Sequence, residues 1–109
     1  MSRKRGPGFA VLYRWRLHAD KEAQFIEAWS KVSEQLLQRG SLGSRLHKGS
    51  DGLWYSYAQW PSATARETAF ALPSVATSAI SEMRDAIAES LPEIVLESRS
   101  DFMVLPSAT

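Results

Sequence analysis

Trp60 closes the run Leu53-Trp54-Tyr55-Ser56-Tyr57-Ala58-Gln59-Trp60, and Pro61-Ser62 follows it at once. The run reads as a strand. Proline has no N–H to offer a continuing ladder, and serine suits the cap of a helix, so the chain must change from strand to helix here. With that junction in place, the flanking segments order themselves as one βαββαβ unit.

Before the junction, Phe9, Val11, Tyr13, Trp15 and Leu17 alternate with Ala10, Leu12, Arg14, Arg16 and His18, the period-2 pattern of a strand with one strongly apolar face. Asp20 offers an N-cap, and Phe25/Ile26, Trp29, Val32 and Leu36/Leu37 follow helical spacing, which predicts a helix over about 21–39. Arg39 suits its negative C-terminal end and Gly40 the left-handed residue beyond. A short strand over 42–48 then enters a hairpin through Gly49-Ser50-Asp51-Gly52.

After Pro61, Ser62 or Thr64 can cap a short helix, and Thr64-Ala65-Arg66-Glu67 has the spacing of a capping box. Pro73 interrupts it. A second helical segment capped by Ser74 carries Ala76, Ile80, Met83, Ile87 and Leu91 on one face and is expected to stop at Pro92. The last strand is expected over 94–104, ending before Pro106. Right-handed crossovers put both helical regions on one face of a four-stranded antiparallel sheet of order 4-1-3-2, the ferredoxin-like α+β arrangement.

One sheet face is then uncovered. The helix side is expected to hold the odd residues Phe9 to Trp15 and the even residues Trp54 to Trp60. The outer side carries Leu12, Arg14, Arg16, Tyr55, Tyr57 and Gln59, with Val95, Glu97, Arg99, Asp101 and Met103 from the last strand. Arg14 and Arg16 are expected to meet Glu97 and Asp101 across strands. The remaining apolar surface exceeds that of an ordinary solvated face, which predicts a homodimer packed sheet to sheet.

A chain of 109 residues suits one domain, read as 9–105 between a basic tail over 1–8 and a short tail over 106–109. It contains no cysteine, so disulfides and thiolate chemistry are excluded. The net charge is +1, but Arg3, Lys4 and Arg5 lie in the first tail; the body retains 10 basic residues against 12 acidic ones, or −2. That balance argues against a nucleic-acid partner. With no apolar run near the roughly 20 residues of a membrane span and no secretory signal, the expectation is a cytoplasmic protein with no membrane partner.

The segments Tyr13-Arg14-Trp15-Arg16-Leu17, Phe25-Ile26-Glu27-Ala28-Trp29, Gly40-Ser41-Leu42-Gly43-Ser44-Arg45-Leu46-His47, Tyr57-Ala58-Gln59-Trp60-Pro61-Ser62 and Ser100-Asp101-Phe102 resemble the antibiotic biosynthesis monooxygenase (ABM) domain superfamily across about residues 9–105. The resemblance implies a dimeric α+β barrel with a ligand pocket between helices and sheet in each subunit. It implies either a cofactor-independent monooxygenase acting on an aromatic or quinol-like molecule, or a non-catalytic ligand-binding or regulatory dimer. The haem-degrading branch uses an Asn on the first strand and a Trp and a His from the second helical region. Here Tyr13 takes the place of that Asn, and 62–91 contains neither Trp nor His, so haem breakdown is not expected.

Four residues are candidates for the site. Tyr13 and Trp60 are expected between sheet and helices, where a phenol and an indole can shape a flat pocket and donate hydrogen bonds; their ordinary alternative is core packing. Trp60 also agrees with the aromatic pocket of the oxygenase branch. His47 has the titration range of an acid–base catalyst, although its parity assigns it to the outer face or a sheet edge. Arg66, on the second helical region with Arg84, can steady an anionic substrate, where solvated helix faces are the commoner use of such arginines. Trp15, Trp29 and Trp54 have the spacing of buried faces. His18 and His47, without clustered carboxylates, make no metal site, and no cofactor is expected.

Overall fold

The computed structural model describes residues 8–74 and 76–104. Strand β1 (Phe9–Leu17) leads through a 3₁₀ turn (Ala19–Lys21) to helix α1 (Glu22–Leu37). Strands β2 (Gly43–Lys48) and β3 (Trp54–Trp60) form the hairpin, helices α2 (Ala63–Ala71) and α3 (Thr77–Ala86) follow, and strand β4 (Ile87–Glu97) ends the sheet. Sheet order is β2-β3-β1-β4, all antiparallel, which is the expected order read from the other edge. The residues of the first tail other than Gly8, and the last five residues, lie outside the described part, as does the expected stop at Pro106.

The junction after Trp60 behaves as the sequence requires. The Ser62 hydroxyl accepts from the Ala65 amide at 3.1 Å and caps α2, so the Thr64 capping box is not the one used. Gly40, with φ +105°, and Gly52, with φ +86°, take the turn conformations that an L side chain resists. Asp20 does not cap α1. The chain enters that helix through the 3₁₀ turn with no side-chain cap, and Lys21 and Gln24 instead bind the Asp85 carboxylate at 2.7 and 3.1 Å, tying the start of α1 to the end of α3.

The largest correction concerns the last two elements. Helix α3 stops at Ala86, and β4 starts at Ile87 and not at 94. The helical series Ile80, Met83, Ile87 agrees equally with a helix entering a strand, because Ile87 pairs with Leu17 and packs on the core either way. The ladder with β1 then decides the matter, since it satisfies backbone groups along the whole of that strand. Pro92 sits inside β4, at an irregularity where Leu12 pairs with Ile94 and Arg14 with Leu91. Two residues, Pro92 and Glu93, therefore stand opposite Tyr13, a bulge on an edge strand where a missing N–H costs little.

That shift changes the faces. Val95 and Glu97 pair with Val11 and Phe9, so they share the helix side; Ile94 and Leu96 take the outer one. Arg99, Asp101 and Met103 fall beyond the strand. Arg16 meets Glu89 at 3.3 Å, and Arg14 donates to the Pro92 carbonyl at 3.0 Å, in place of the expected Glu97 and Asp101.

Between sheet and helices, Leu17, Phe25, Trp54 and Ala86 form a buried cluster, with Trp15, Trp29, Leu46, Met83 and Ile87 against it. Phe25 stands edge-on to Trp15 and Trp54, with ring centroids 5.0 and 6.4 Å away. This end of the layer is filled.

Candidate functional site

Along β3 the helix-facing residues run large, small, small, large: Trp54, Ser56, Ala58, Trp60. Trp54 belongs to the filled cluster. Ser56 and Ala58 then leave a low floor, and Trp60 rises beyond it to stand edge-on to Phe70 of α2 at 5.8 Å. The result is a cavity of about 390 Å³, its floor from β1 and β3, its roof from Trp29, Val32 and Leu36 of α1 and from α2 and α3. Its volume falls within the roughly 300–1,000 Å³ of small-molecule sites.

Tyr13 and Arg66 meet on its wall. The Arg66 guanidinium donates to the Tyr13 phenol oxygen from Nη2 at 2.9 Å and from Nε at 3.3 Å. It also donates to both Glu93 carboxylate oxygens, at 2.9 and 3.1 Å. Its carbon lies 5.0 Å from the Phe70 ring centroid and 5.7 Å from that of Tyr13, within range of cation–π attraction. Burial pushes the Tyr13 phenol above its ordinary pKa, with Arg66 pulling partly the other way, so the group remains protonated at neutral pH. Burial opposes the charge of Arg66, but Tyr13 and Glu93 outweigh it and hold that pKa above its usual value.

Two further donors face no protein acceptor. The Trp60 indole nitrogen and the Gln35 amide nitrogen are buried without a hydrogen-bond partner, and both residues line the cavity. By contrast, the Trp29 indole N–H is spent on Ser56 Oγ at 3.1 Å. Arg39, expected to serve the end of its own helix, reaches across to carbonyls of Ala69, Leu72 and Pro73 and secures the end of α2 and the loop after it. There it meets the negative end of a different helix.

Tyr13, Trp60 and Arg66 thus come together on one cavity, and His47 does not join them. His47 pairs with Tyr55 on the outer face and lines a separate groove with Arg45, Tyr57 and Gln59. Arg84 is exposed on α3, and His18 is exposed after β1. Trp15 and Trp29 serve both the filled cluster and the cavity, while Trp54 stays in the cluster. Glu93 and Gln35 were not singled out by sequence, and Ser74, expected as the cap of α3, does not cap it: α3 starts after Ala76 with no side-chain cap, while the Ser74 hydroxyl accepts from the Ala76 amide and donates to Gln35. Glu93 could have been found only by starting the last strand at Ile87, which sets it opposite Tyr13. Gln35 leaves a fainter trace, a polar residue on the helix stripe that carries Val32 and Leu36.

Among the described residues no three His, Asp or Glu side chains converge as a metal site would need, and no helix is long and apolar enough to cross a membrane. No curated protein sequence matches the chain. Solved structures do share its fold. SnoaB, a cofactor-independent oxygenase from Streptomyces nogalater, superposes with a TM-score of 0.72 at 16% identity, over 86% of this chain and 95% of its own. A candidate antibiotic biosynthesis monooxygenase from Chloroflexus aurantiacus gives 0.71 at 15% identity, over 87% and 96%. A Mycobacterium tuberculosis protein gives 0.68 at 13% identity, over 87% and 98%. At these identities the likeness establishes the ferredoxin-like α+β fold. The sequence profile of the antibiotic biosynthesis monooxygenase (ABM) family matches residues 8–79, more than half of the chain, and the chain belongs to that family.

Proposed function

We propose that the chain is a cofactor-independent monooxygenase acting on an aromatic or quinol-like small molecule held in the cavity beneath α1 and α2. The observation that carries this reading is the Arg66–Tyr13 pair on the wall of a cavity lined mostly by aromatic and aliphatic side chains. The Tyr13 oxygen is occupied by Arg66, so its proton is free to bond an oxyanion on the substrate. Arg66, through Tyr13, strengthens that bond. Such donors favour the ionised form of a phenol or enol and stabilise charge in a dry site, where a hydrogen bond counts for more than in water.

The substrate anion passes one electron to dioxygen, and the substrate radical and superoxide combine through a new C–O bond to give a peroxide. At a CH₂ carbon, O–O cleavage leaves one oxygen as a carbonyl, and the other departs as water with the two hydrogens of that carbon. Dioxygen is the oxidant throughout. Support comes from the family and from SnoaB, which shares the fold.

Oxygen uptake with a panel of hydroquinones and anthrones tests the reading. Tyr13→Phe is expected to lower turnover roughly a hundredfold, as the loss of one oxyanion donor does elsewhere. Trp60→Phe should lower it less. Absence of uptake with every member of the panel would overturn the proposal.

One observation favours the second reading, a ligand-binding or regulatory protein without chemistry. The cavity lining, among the described residues, has no histidine, and its single carboxylate, Glu93, is engaged by Arg66. No strong base is then poised to take the first proton, and the substrate's own acidity must supply the anion. Tight binding without turnover would select this reading. In either case we propose a homodimer joined through the outer sheet faces, where Leu12, Tyr57, Ile94 and Leu96 lie only partly exposed or barely covered. Sedimentation of the native chain beside Ile94→Glu tests it, and a monomeric native chain would refute it.

A further inference from the structure

Tyr13 is held by a residue that is itself held. Its oxygen accepts from Arg66 Nε and Nη2, so both bonds fall on lone pairs and the phenol proton is the group left to donate. Arg66 is a long side chain on α2, a helix whose one buried residue is Ala69. With the phenol as its sole acceptor, the charged head would have water at the rim as a competing partner.

Glu93 removes that competition. Nη2 carries two hydrogens: with one on Tyr13 at 2.9 Å, the other falls to the carboxylate, whose oxygens lie at 2.9 and 3.1 Å. One nitrogen thus bridges phenol and carboxylate, and Nε at 3.3 Å keeps the guanidinium plane on Tyr13. The Glu93 side chain is 42% exposed and that of Arg66 17%, so the carboxylate lies toward solvent and the arginine deeper. The backbone aims the carboxylate, because Pro92 and Glu93 share the bulge opposite Tyr13 and Arg14 fixes that bulge from the outer face through the Pro92 carbonyl. A partly exposed ion pair adds little stability; what it supplies here is direction.

We propose that Glu93 is a positioning residue of this site: it holds the Arg66 guanidinium on the Tyr13 oxygen and so leaves the phenol proton for the cavity occupant. The proposal rests on Tyr13 as the donor of the proposed oxygenase, but the hold itself is visible without turnover.

Alkaline titration of the full chain, read as tyrosinate absorbance against the same variant carrying Tyr13→Phe, tests it. Burial raises the Tyr13 pKa, Arg66 from α2 lowers it and Glu93 from β4 raises it, the arginine outweighing the carboxylate. Glu93→Gln keeps an acceptor for Nη2 and removes only the charge, so the Tyr13 transition should move to lower pH. Glu93→Ala removes the hold, and the phenol, losing its arginine, should titrate at higher pH than in the native chain. Opposite shifts are the mark of positioning, because loss of charge alone moves both variants downward. With a substrate that is turned over, Glu93→Ala should lower oxygen uptake roughly three- to tenfold, the effect of one net hydrogen bond, and Glu93→Gln should restore most of it. A downward shift in Glu93→Ala, or none, would overturn the assignment. If oxygen uptake fails while the opposite shifts appear, only the oxygenase reading falls; uptake with both shifts downward removes only the role of Glu93.

Discussion

The two ends of the layer between sheet and helices are built from similar residues to opposite effect. At one end Leu17, Phe25, Trp54 and Ala86 close on each other, and Phe25 is completely buried. At the other, Trp60 and Phe70 meet edge-on at 5.8 Å beyond a low floor of Ser56 and Ala58, and the paired guanidinium of Arg66 and phenol of Tyr13 stand on the wall of the open space. Aromatic content does not separate a core from a pocket. Whether bulky rings oppose bulky or small neighbours does.

Substitutions can break that comparison. The largest effect is expected from Phe25→Ala, which empties a site that neighbouring Trp15 and Trp54 can only partly refill; it should cost about 3–5 kcal/mol, measured by chemical denaturation. A loss under about 1 kcal/mol would mean that this end is not close-packed. Next comes the same change made at both ends. Ala86→Leu should overpack the filled cluster and cost about 1–3 kcal/mol, whereas Ala58→Leu has free volume to enter and should cost less than about 1 kcal/mol while blocking the binding of aromatic ligands. Equal costs at the two positions would remove the distinction.

The smallest effect concerns titration. Burial raises the Tyr13 pKa and Arg66 partly offsets it, so Arg66→Met should raise it further, seen in alkaline tyrosinate absorbance in a Tyr55→Phe background. The background is needed because the Asp51 carboxylate, hydrogen-bonded to Tyr55, raises that phenol too. The sign for stability follows. A phenol whose pKa is raised on folding contributes stability that is intact below its unfolded value of about 10 and is lost as pH rises through the folded one. Tyr13→Phe should therefore lessen the alkaline loss of stability.

Much of this arrangement is legible in the chain because local rules and burial agree over most of it. The alternation in β1 and β3 has only one register that buries Val11, Trp54 and Trp60 together, and the Trp60-Pro61-Ser62 junction admits only a strand end and a helix start. From that register Tyr13 and Trp60 follow as residues beneath the helices, and Arg66 lies at the start of the next helix. The reading failed where two periods coincide. Ile80, Met83, Ile87 and Leu91 fit helical spacing, yet Ile87 and Leu91 belong to β4, and Pro92 looks like a terminator until a bulge on an edge strand accommodates it.

What the sequence determined by itself was the order of elements, the faces of β1 and β3 and therefore the family's fold, since period-2 burial and turn chemistry are local and strong. What only the tertiary structure decided was the chemistry of the cavity. Glu93 reaches Arg66 through a bulge that no local pattern announces, Gln35 is oriented by a serine from a distant loop, and Arg39 serves a helix other than its own. Each depends on which atoms meet across the fold after backbone hydrogen bonding has settled the register, and that is a property of distance in space and not of spacing along the chain.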